Sequence, residues 1–185
     1  MTARIKKGSS FIKRGFTLIE LLIVIAIIGV LAVVVLVAIN PVEQLAKTRD
    51  AGRISSVTQL GHAIEAYYTS RNAIFPGDTV EADWDTDLTT SGELSTFPAS
   101  IDYSAYGVVA CPAGDNMTNG YCYDLDSVNG AIVYAAMESN SQNSRCTSPE
   151  VAYVVFSTAD GRGGVVCGAA TGLDPWVAGG GPAYF

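Results

Sequence analysis

The sequence predicts an α+β fold in which a long N-terminal α-helix, half transmembrane and half amphipathic, packs on an antiparallel β-sheet. Three observations predict this fold. Residues 16–39 form an apolar run, and residues 42–68 repeat apolar side chains at three- and four-residue steps. The C-terminal half then holds short β-branched or aromatic segments that are separated by turn sequences. With 185 residues, the chain is long enough for one membrane segment and one modest domain.

The charge of the chain is unevenly distributed. The first fifteen residues hold five cations and no acid, whereas the remaining residues hold six basic and eighteen acidic side chains, a net charge of −12. Because phosphate binding needs clustered lysine and arginine, this acidic remainder argues against nucleic acid as the main partner. The basic segment instead predicts a leader on the cytoplasmic side of a membrane. The predicted organisation is a basic leader at 1–15, a transmembrane helix at 16–39, an amphipathic helix at 40–70 and a globular head at 71–185.

The apolar run from Phe16 to Ile39 contains one charged residue, Glu20. These 24 residues would form a helix of about 36 Å, which spans a bilayer with some tilt. A cleaved secretory signal is the alternative, but its apolar core is about 7–15 residues long and ends at small residues. The run is too long for that class, so a retained transmembrane helix is predicted.

A helix break is predicted at Asn40 and Pro41, where the apolar run ends. Asn40 can cap a new helix, Pro41 suits its first position, and Glu43 lies where a capping box closes. Because proline inside a continuing helix removes a backbone hydrogen bond, we expect a kinked or locally melted link over residues 38–40. The amphipathic helix then runs to about Tyr68, and its apolar face is expected to lie on the sheet.

Five segments rich in β-branched and aromatic residues predict the strands of the antiparallel sheet. They cover residues 107–110, 121–123, 131–137, 152–156 and 164–167. Turn sequences between them favour hairpin connections. These are Asn119-Gly120, Asn129-Gly130 and Asp160-Gly161. Residues 71–104 are predicted to be a connecting region, and the tail from Gly168 a loop pinned at most by Trp176.

All four cysteines lie in the C-terminal half of the chain, as Cys111, Cys122, Cys146 and Cys167. An even number in a chain bound for the outside indicates two disulfide bonds and an oxidising compartment. Of the three possible connectivities we favour Cys111–Cys122 and Cys146–Cys167, since each closes a short loop between neighbouring predicted strands. A structural zinc site is the weaker alternative, because the sequence has no C-x-x-C spacing and a single histidine, His62.

The rest of the head carries weaker signals. The alternating carboxylates Asp83, Asp85 and Asp87 could begin a calcium loop, but leucine stands at the sixth and twelfth positions, where an EF-hand requires glycine and glutamate. A solvated acidic loop is therefore the preferred interpretation. The lone His62 forms no metal-hydrolase constellation and is interpreted as a packing or interface residue. The sequence also lacks a phosphate loop and a catalytic triad, so neither an enzyme nor a cofactor is predicted.

The charge of Glu20 calls for a partner, because an ionised carboxylate in hydrocarbon costs several kcal/mol unless it is paired. If the chain is cut after Gly15, Phe16 gains a free amine one helical turn before Glu20. The amine would have to fold back to reach its own helix, whereas the amine of a neighbouring identical helix satisfies both charges. This predicts a stacked helical assembly. The alternative is a carboxylate near the membrane interface, hydrated or protonated.

Residues 13–20, Lys-Arg-Gly-Phe-Thr-Leu-Ile-Glu, resemble the class III signal of the type IV pilin family, which includes the pseudopilins of type II secretion. The close resemblance covers about residues 13–68. It implies the type IV pilin fold, cleavage between Gly15 and Phe16 by the membrane prepilin peptidase, N-methylation of Phe16 and an assembly role for Glu20. The chain departs from many members, which have a proline earlier in the apolar helix, since its helix breaker is Pro41.

The leading functional hypothesis is a structural subunit of a type IV pilus. The resemblance implies a homo-oligomeric helical filament, with the prepilin peptidase, a pilus assembly platform protein and an ATPase as partners. The precursor would be a single-pass protein of the cytoplasmic membrane, and the mature chain an extracellular pilus subunit. One alternative is a pseudopilin of a type II secretion or DNA-uptake apparatus. Another is a monomeric, membrane-anchored binding module, which would keep its leader and form no filaments.

Overall fold

The structure is a computed structural model that describes residues 15–77, 83–104, 111, 115–126, 130–173 and 184–185. The chain forms two compact units, Met1–Pro41 and Val42–Phe185. The described part of the first unit is dominated by helix α1, Leu18–Ile39. The second unit holds helix α2, Pro41–Ser70, apart from its first residue, together with two shorter helices and a β-sheet.

Helix α1 is apolar around its whole circumference. Glu20 is the only charged residue among its 22 residues, and none of its side chains is buried within the chain. A helix of this length is about 33 Å long, enough to cross the hydrocarbon core of a bilayer. Length and composition therefore qualify α1 as a membrane span.

Helix α2 packs one face against the sheet. Residues Val57, Leu60, Ala63 and Ile64 share a hydrophobic core with the inner face of the strands. The approach is closest at Gly61, where an added Cβ would overlap the ring of Phe156. Glycine is thus required at this point by contact between helix and sheet rather than by backbone conformation.

The sheet has five antiparallel strands in the order β1-β2-β3-β4-β5. The strands are β1 Asn116–Thr118, β2 Tyr121–Asp126, β3 Gly130–Ala136, β4 Glu150–Ser157 and β5 Arg162–Ala169. Each strand pairs with the next one along the chain, so the sheet is a simple meander. The predicted α+β class and antiparallel sheet are confirmed.

The hairpin between β1 and β2 shows how the turn sequence sets the register. Thr118 pairs with Tyr121, and the two residues between them, Asn119 and Gly120, have φ values of 52° and 83°. Two consecutive left-handed residues define the turn that matches the twist of paired strands, and asparagine followed by glycine is the sequence that tolerates it best.

Both faces of the sheet are covered. The inner face carries α2, and a second core cluster lies on the outer face, centred on Ile132, Tyr134 and Tyr153. Strand β3 is consequently buried at six of its seven positions. This explains why its sequence is continuously apolar instead of alternating between apolar and polar residues.

The C-terminal residues contribute to the outer face and to the free edge of β5. Leu173 is buried in the outer cluster, and the ring of Tyr184 occupies the space beside Gly164. The backbone N–H of Phe185 donates to the carbonyl of Val165 at 3.0 Å. The predicted anchor of this tail, Trp176, lies outside the described residues.

Three elements of the second unit differ from the sequence prediction. The connecting region contains a helix, α3, from Trp84 to Ser91, and the first strand pairing with β2 is β1. The predicted strand at 107–110 lies outside the described residues. A one-turn helix, α4, at Asn140–Asn143 follows β3.

Candidate functional site

Gly15 and Phe16 lie immediately before α1, and Glu20 lies in its first turn. Thr17 is the N-cap and forms a capping box with Glu20. The Glu20 N–H donates to the Thr17 hydroxyl at 3.2 Å, and the Thr17 N–H donates to Glu20 Oε2 at 3.0 Å. The Thr17 hydroxyl also donates to Oε2, at 2.8 Å.

The capping box gives Glu20 a role that the sequence analysis missed. The signal was present, because a threonine followed three residues later by glutamate before an apolar run is the capping-box pattern. The box satisfies backbone donors that have no partner within the helix. Because both donor groups of Thr17 bond to Oε2, Oε1 takes no hydrogen bond from Thr17. The carboxylate is therefore oriented by its own helix while one oxygen stays outside the box.

Helix α1 ends at Ile39, and α2 begins at Pro41. Between them Asn40 has φ 43° and ψ 77°, the left-handed conformation. Asparagine is among the few residues that adopt this conformation readily, and the residue before a proline is disfavoured in the right-handed helical region. The two residues named as the predicted helix break thus form the junction between α1 and α2.

A buried charge network lies on α2 and was not anticipated. Asp50 and Arg53 are spaced three residues apart, and their side chains are 3% and 6% exposed. The Arg53 guanidinium donates to Asp50 at 3.3 Å, to Glu138 at 3.0 Å and to the carbonyl of Ala136 at 2.9 Å. Arg49 also donates to Glu138. Charges this deeply buried are tolerated only when they are paired and hydrogen-bonded.

The network reaches an aromatic neighbour as well. The Arg53 guanidinium carbon lies 5.5 Å from the centre of the Tyr103 ring, within the range of a cation–π contact. Burial raises the pKa of the Tyr103 phenol, which is therefore neutral at ordinary pH, and its hydroxyl donates to the carbonyl of Gly120 at 2.9 Å. The sequence held a signal for this network, because Asp50 and Arg53 continue the spacing of Val57, Leu60 and Ile64 on the buried face.

Two carboxylates of α2 bind four consecutive backbone N–H groups. Asp50 accepts from Glu138 at 2.9 Å and from Ser139 at 2.8 Å. Glu43, expected to close a capping box, accepts from Asn140 and from Ser141, both at 3.0 Å. These hydrogen bonds hold the pKa of Glu43 below its usual value, with a smaller contribution from the charge of Lys47.

The prediction of two disulfide bonds is confirmed, and the structure joins the pairs that the sequence analysis favours. Cys111 bonds to Cys122 in β2, and Cys146, which follows α4, bonds to Cys167 in β5. The second bond closes a loop with a sequence separation of 21 and fastens the chain after α4 to a strand at the sheet edge.

Replacing both Cys146 and Cys167 by alanine is expected to lower the free energy of unfolding of the second unit by about 3 kcal/mol. Without the crosslink the unfolded chain gains conformational entropy, because this loop is no longer closed. Urea unfolding followed by near-UV circular dichroism measures the change. Wild-type chain treated with a reductant, which opens both disulfide bonds, serves as the reference and should unfold at a urea concentration at or below that of the variant. A change below about 1 kcal/mol in the variant would contradict the expected role of the bond.

The weaker candidates of the head have structural partners. Asp83 is the N-cap of α3, and Asp85 and Asp87 lie in its first turn, where the Asp87 carboxylate accepts from the N–H of Gly77 at 2.8 Å. The predicted open acidic loop is thus a helix start, where carboxylates are favoured by the helix dipole. Within the described residues no group of three or more metal-binding side chains comes together.

His62 lies on the exposed part of α2, with 64% of its side chain accessible. Its Nδ1 is 3.3 Å from Glu65, and its ring meets the edge of Phe156 at a centroid distance of 5.1 Å. These contacts agree with the interpretation of His62 as a packing residue.

The family model described as the prokaryotic N-terminal methylation motif matches residues 11–36. The matched range contains Gly15, Phe16 and Glu20, and it extends through most of α1. No curated protein and no solved structure compared with the chain gives a match.

This motif identifies a prepilin-type N-terminus, which is a membrane-anchored precursor sequence. The apolar helix that follows it and the α+β fold of the second unit, with α2 on a five-stranded antiparallel sheet, agree with it. The motif, the apolar helix and the fold together support membership of the type IV pilin and pseudopilin family.

Proposed function

We propose that the chain is a structural subunit of a type IV pilus. The observation that carries the proposal is the methylation motif at the start of an apolar helix that exposes all of its side chains. Prepilin peptidase would cleave between Gly15 and Phe16, and the new amine of Phe16 would be methylated. The exposed surface of α1 would then be covered in two successive environments, first by lipid and later by the helices of other subunits.

The chemistry of assembly follows from the first turn of α1. Cleavage creates a positive charge on Phe16, and Glu20 supplies a negative charge in the same apolar segment. A neighbouring subunit's Phe16 amine would bind the Glu20 oxygen that lies outside the capping box. The pairing neutralises two charges that are costly in an apolar environment and sets the axial register between subunits.

A subunit of this kind would need partners for its assembly and would end at the cell surface. A platform protein and an ATPase would extract the processed chain from the cytoplasmic membrane, and the filament would carry the second unit on the cell surface. The two disulfide bonds suit an oxidising compartment of this kind. A pseudopilin of a secretion or DNA-uptake apparatus uses the same motif and is the alternative outcome of the test.

Two measurements test the proposal. Mass spectrometry of the mature N-terminus is expected to find methylated Phe16, whereas an intact Met1 would contradict processing and point to an anchored binding module. Electron microscopy of material sheared from the cell surface is expected to show long filaments that contain this chain. A processed, methylated chain that is absent from surface filaments would overturn the pilus in favour of the pseudopilin.

A further inference from the structure

The start of α2 is held to the rest of its unit by few contacts. From Pro41 to Arg49, the only buried side chain is that of Ala46, which is 7% exposed, and Val42 and Leu45 are 71% and 58% exposed. From Asp50 onward the helix instead contributes a series of buried residues to the core. Because burial of apolar surface is what stabilises a helix in a small domain, these nine residues have a lower local stability than the remainder of α2.

At the end of this weak segment Arg49 donates to Glu138, and the start of the segment is held by Glu43. Glu43 lies seven residues before Asp50, which puts both carboxylates on the same face of the helix two turns apart. Together they accept hydrogen bonds from the four consecutive N–H groups of residues 138–141. The Asp50 half of this arrangement is buried, whereas Glu43 is partly exposed. Water can therefore replace the bonds of Glu43 far more easily than those of Asp50.

We propose that residues 41–49 form a detachable segment whose closed state is held by Glu43, while Asp50 marks the point beyond which α2 stays folded. Opening breaks the hydrogen bonds that Glu43 accepts from Asn140 and Ser141 and the contact of the half-exposed Arg49 with Glu138, and it exposes little apolar surface. Nine residues lengthen from about 1.5 Å to about 3.3 Å each when a helix becomes extended, so opening adds about 16 Å of contour length before Asp50. This inference concerns the local stability of α2 and does not depend on the proposed function.

The charged groups around Glu43 determine how its contribution to the closed state depends on pH. Lys47 lies one turn along the same helix, and α4 faces Glu43 with uncharged residues, Asn140 to Asn143. Glu138, which precedes α4, is paired with Arg49 and Arg53. The pKa of Glu43 is lowered in the folded chain, so its contribution to stability is complete above the ordinary value of 4.5 and is lost as the pH falls through the lowered value. The closed state of the segment is thus more stable at neutral pH than in acid.

Hydrogen exchange of the full chain in detergent micelles, read by mass spectrometry, tests this device. In an α-helix the N–H groups of residues 45–49 donate to carbonyls 41–45, so they report on the segment directly. At pH 7 we expect Glu43→Gln to speed their exchange by about fivefold, the scale of losing charge-assisted hydrogen bonds at an exposed site, with residues 57–64 unchanged. The matched control is Glu150→Gln, which removes the same charge from the exposed start of β4 and leaves the segment unchanged.

The same hydrogen exchange measured at lower pH adds a second test. After correction for intrinsic exchange rates, the difference between wild type and Glu43→Gln is expected to shrink as the pH falls below 4.5 through the lowered pKa of Glu43, since a protonated Glu43 resembles glutamine. Unchanged exchange of residues 45–49 in Glu43→Gln at pH 7 would overturn the proposal. An equal rise over residues 57–64 would also overturn it, because Glu43 would then stabilise the whole unit instead of one segment.

Discussion

Glu20→Gln is expected to lower filament yield at least about tenfold while membrane insertion and leader cleavage remain normal. Glutamine keeps an oxygen that can accept from the Thr17 N–H, so the geometry of the first turn is preserved. It has no charge, however, and cannot neutralise the Phe16 amine of a neighbouring subunit. Each uncompensated charge in hydrocarbon costs about 2.5–3.5 kcal/mol at the bilayer centre, and about 1.4 kcal/mol is a factor of ten in an equilibrium constant. Glu20→Ala is expected to have the same effect.

The matched control for this experiment is Thr17→Val. This variant removes the hydroxyl of the capping box and leaves the carboxylate in place, so it costs about 1 kcal/mol of helix stability and no charge. Filament yield is measured by quantifying sheared surface material, and insertion and cleavage are measured by fractionation and mass spectrometry. Normal yield from Glu20→Gln would contradict the charge-pairing model. Equal losses in both variants would assign the effect to the capping box instead.

Arg53→Met is expected to destabilise the second unit by about 3–5 kcal/mol. Methionine has a similar length but no charge, so the buried carboxylates of Asp50 and Glu138 lose their shared cation, and the carbonyl of Ala136 loses its donor. Urea unfolding of the full chain in detergent gives the free energy of unfolding. Near-UV circular dichroism provides the signal, since Trp84 is buried and stacks on Tyr123 at a centroid distance of 4.8 Å.

Arg71→Met is the control, because Arg71 is an exposed arginine of the same unit, close to the end of α2. Its effect is expected to stay within about 0.5 kcal/mol. Adding Asp50→Leu to Arg53→Met is not expected to restore stability, although replacing both members of a buried ion pair often does. Asp50 also accepts hydrogen bonds from the N–H groups of Glu138 and Ser139. In the double variant these buried N–H groups would lose that acceptor. A loss below about 1 kcal/mol in Arg53→Met would show that the network contributes little.

The helices and most strands could be predicted because their signals are local. An uninterrupted apolar run defines α1, a proline after asparagine marks its end, and a three- and four-residue repeat defines α2. Strands β2 to β5 follow from β-branched and aromatic runs, although their observed bounds extend the predicted ones by one to three residues at one or both ends, apart from the end of β3. The first turn of α1 was likewise found from a short motif, since every residue of that motif is adjacent in sequence.

The remaining features depend on contacts that sequence periodicity does not contain. Strand β1 has three residues of ordinary strand propensity and exists because the Asn119-Gly120 turn returns the chain to β2. Asp50 and Arg53 follow the spacing of the buried face, but their partners at residues 136–139 lie more than eighty positions later in the chain, so the pairing itself cannot be predicted from the sequence. Helix α3 begins in an acidic stretch that resembles a loop, and the burial of Trp84 and Leu88 against the core selects the helical form.

The two edges of the sheet determine how readily it can pair with the sheet of another molecule. An edge strand with unpaired backbone groups is a template for another chain, and long, flat edges promote aggregation. Here β1 is three residues long, and the N–H of Phe185 occupies a carbonyl of β5. Among the described residues, neither edge therefore offers a long uninterrupted row of free backbone groups. Copies of this chain held close together are for that reason less prone to pair through their sheets.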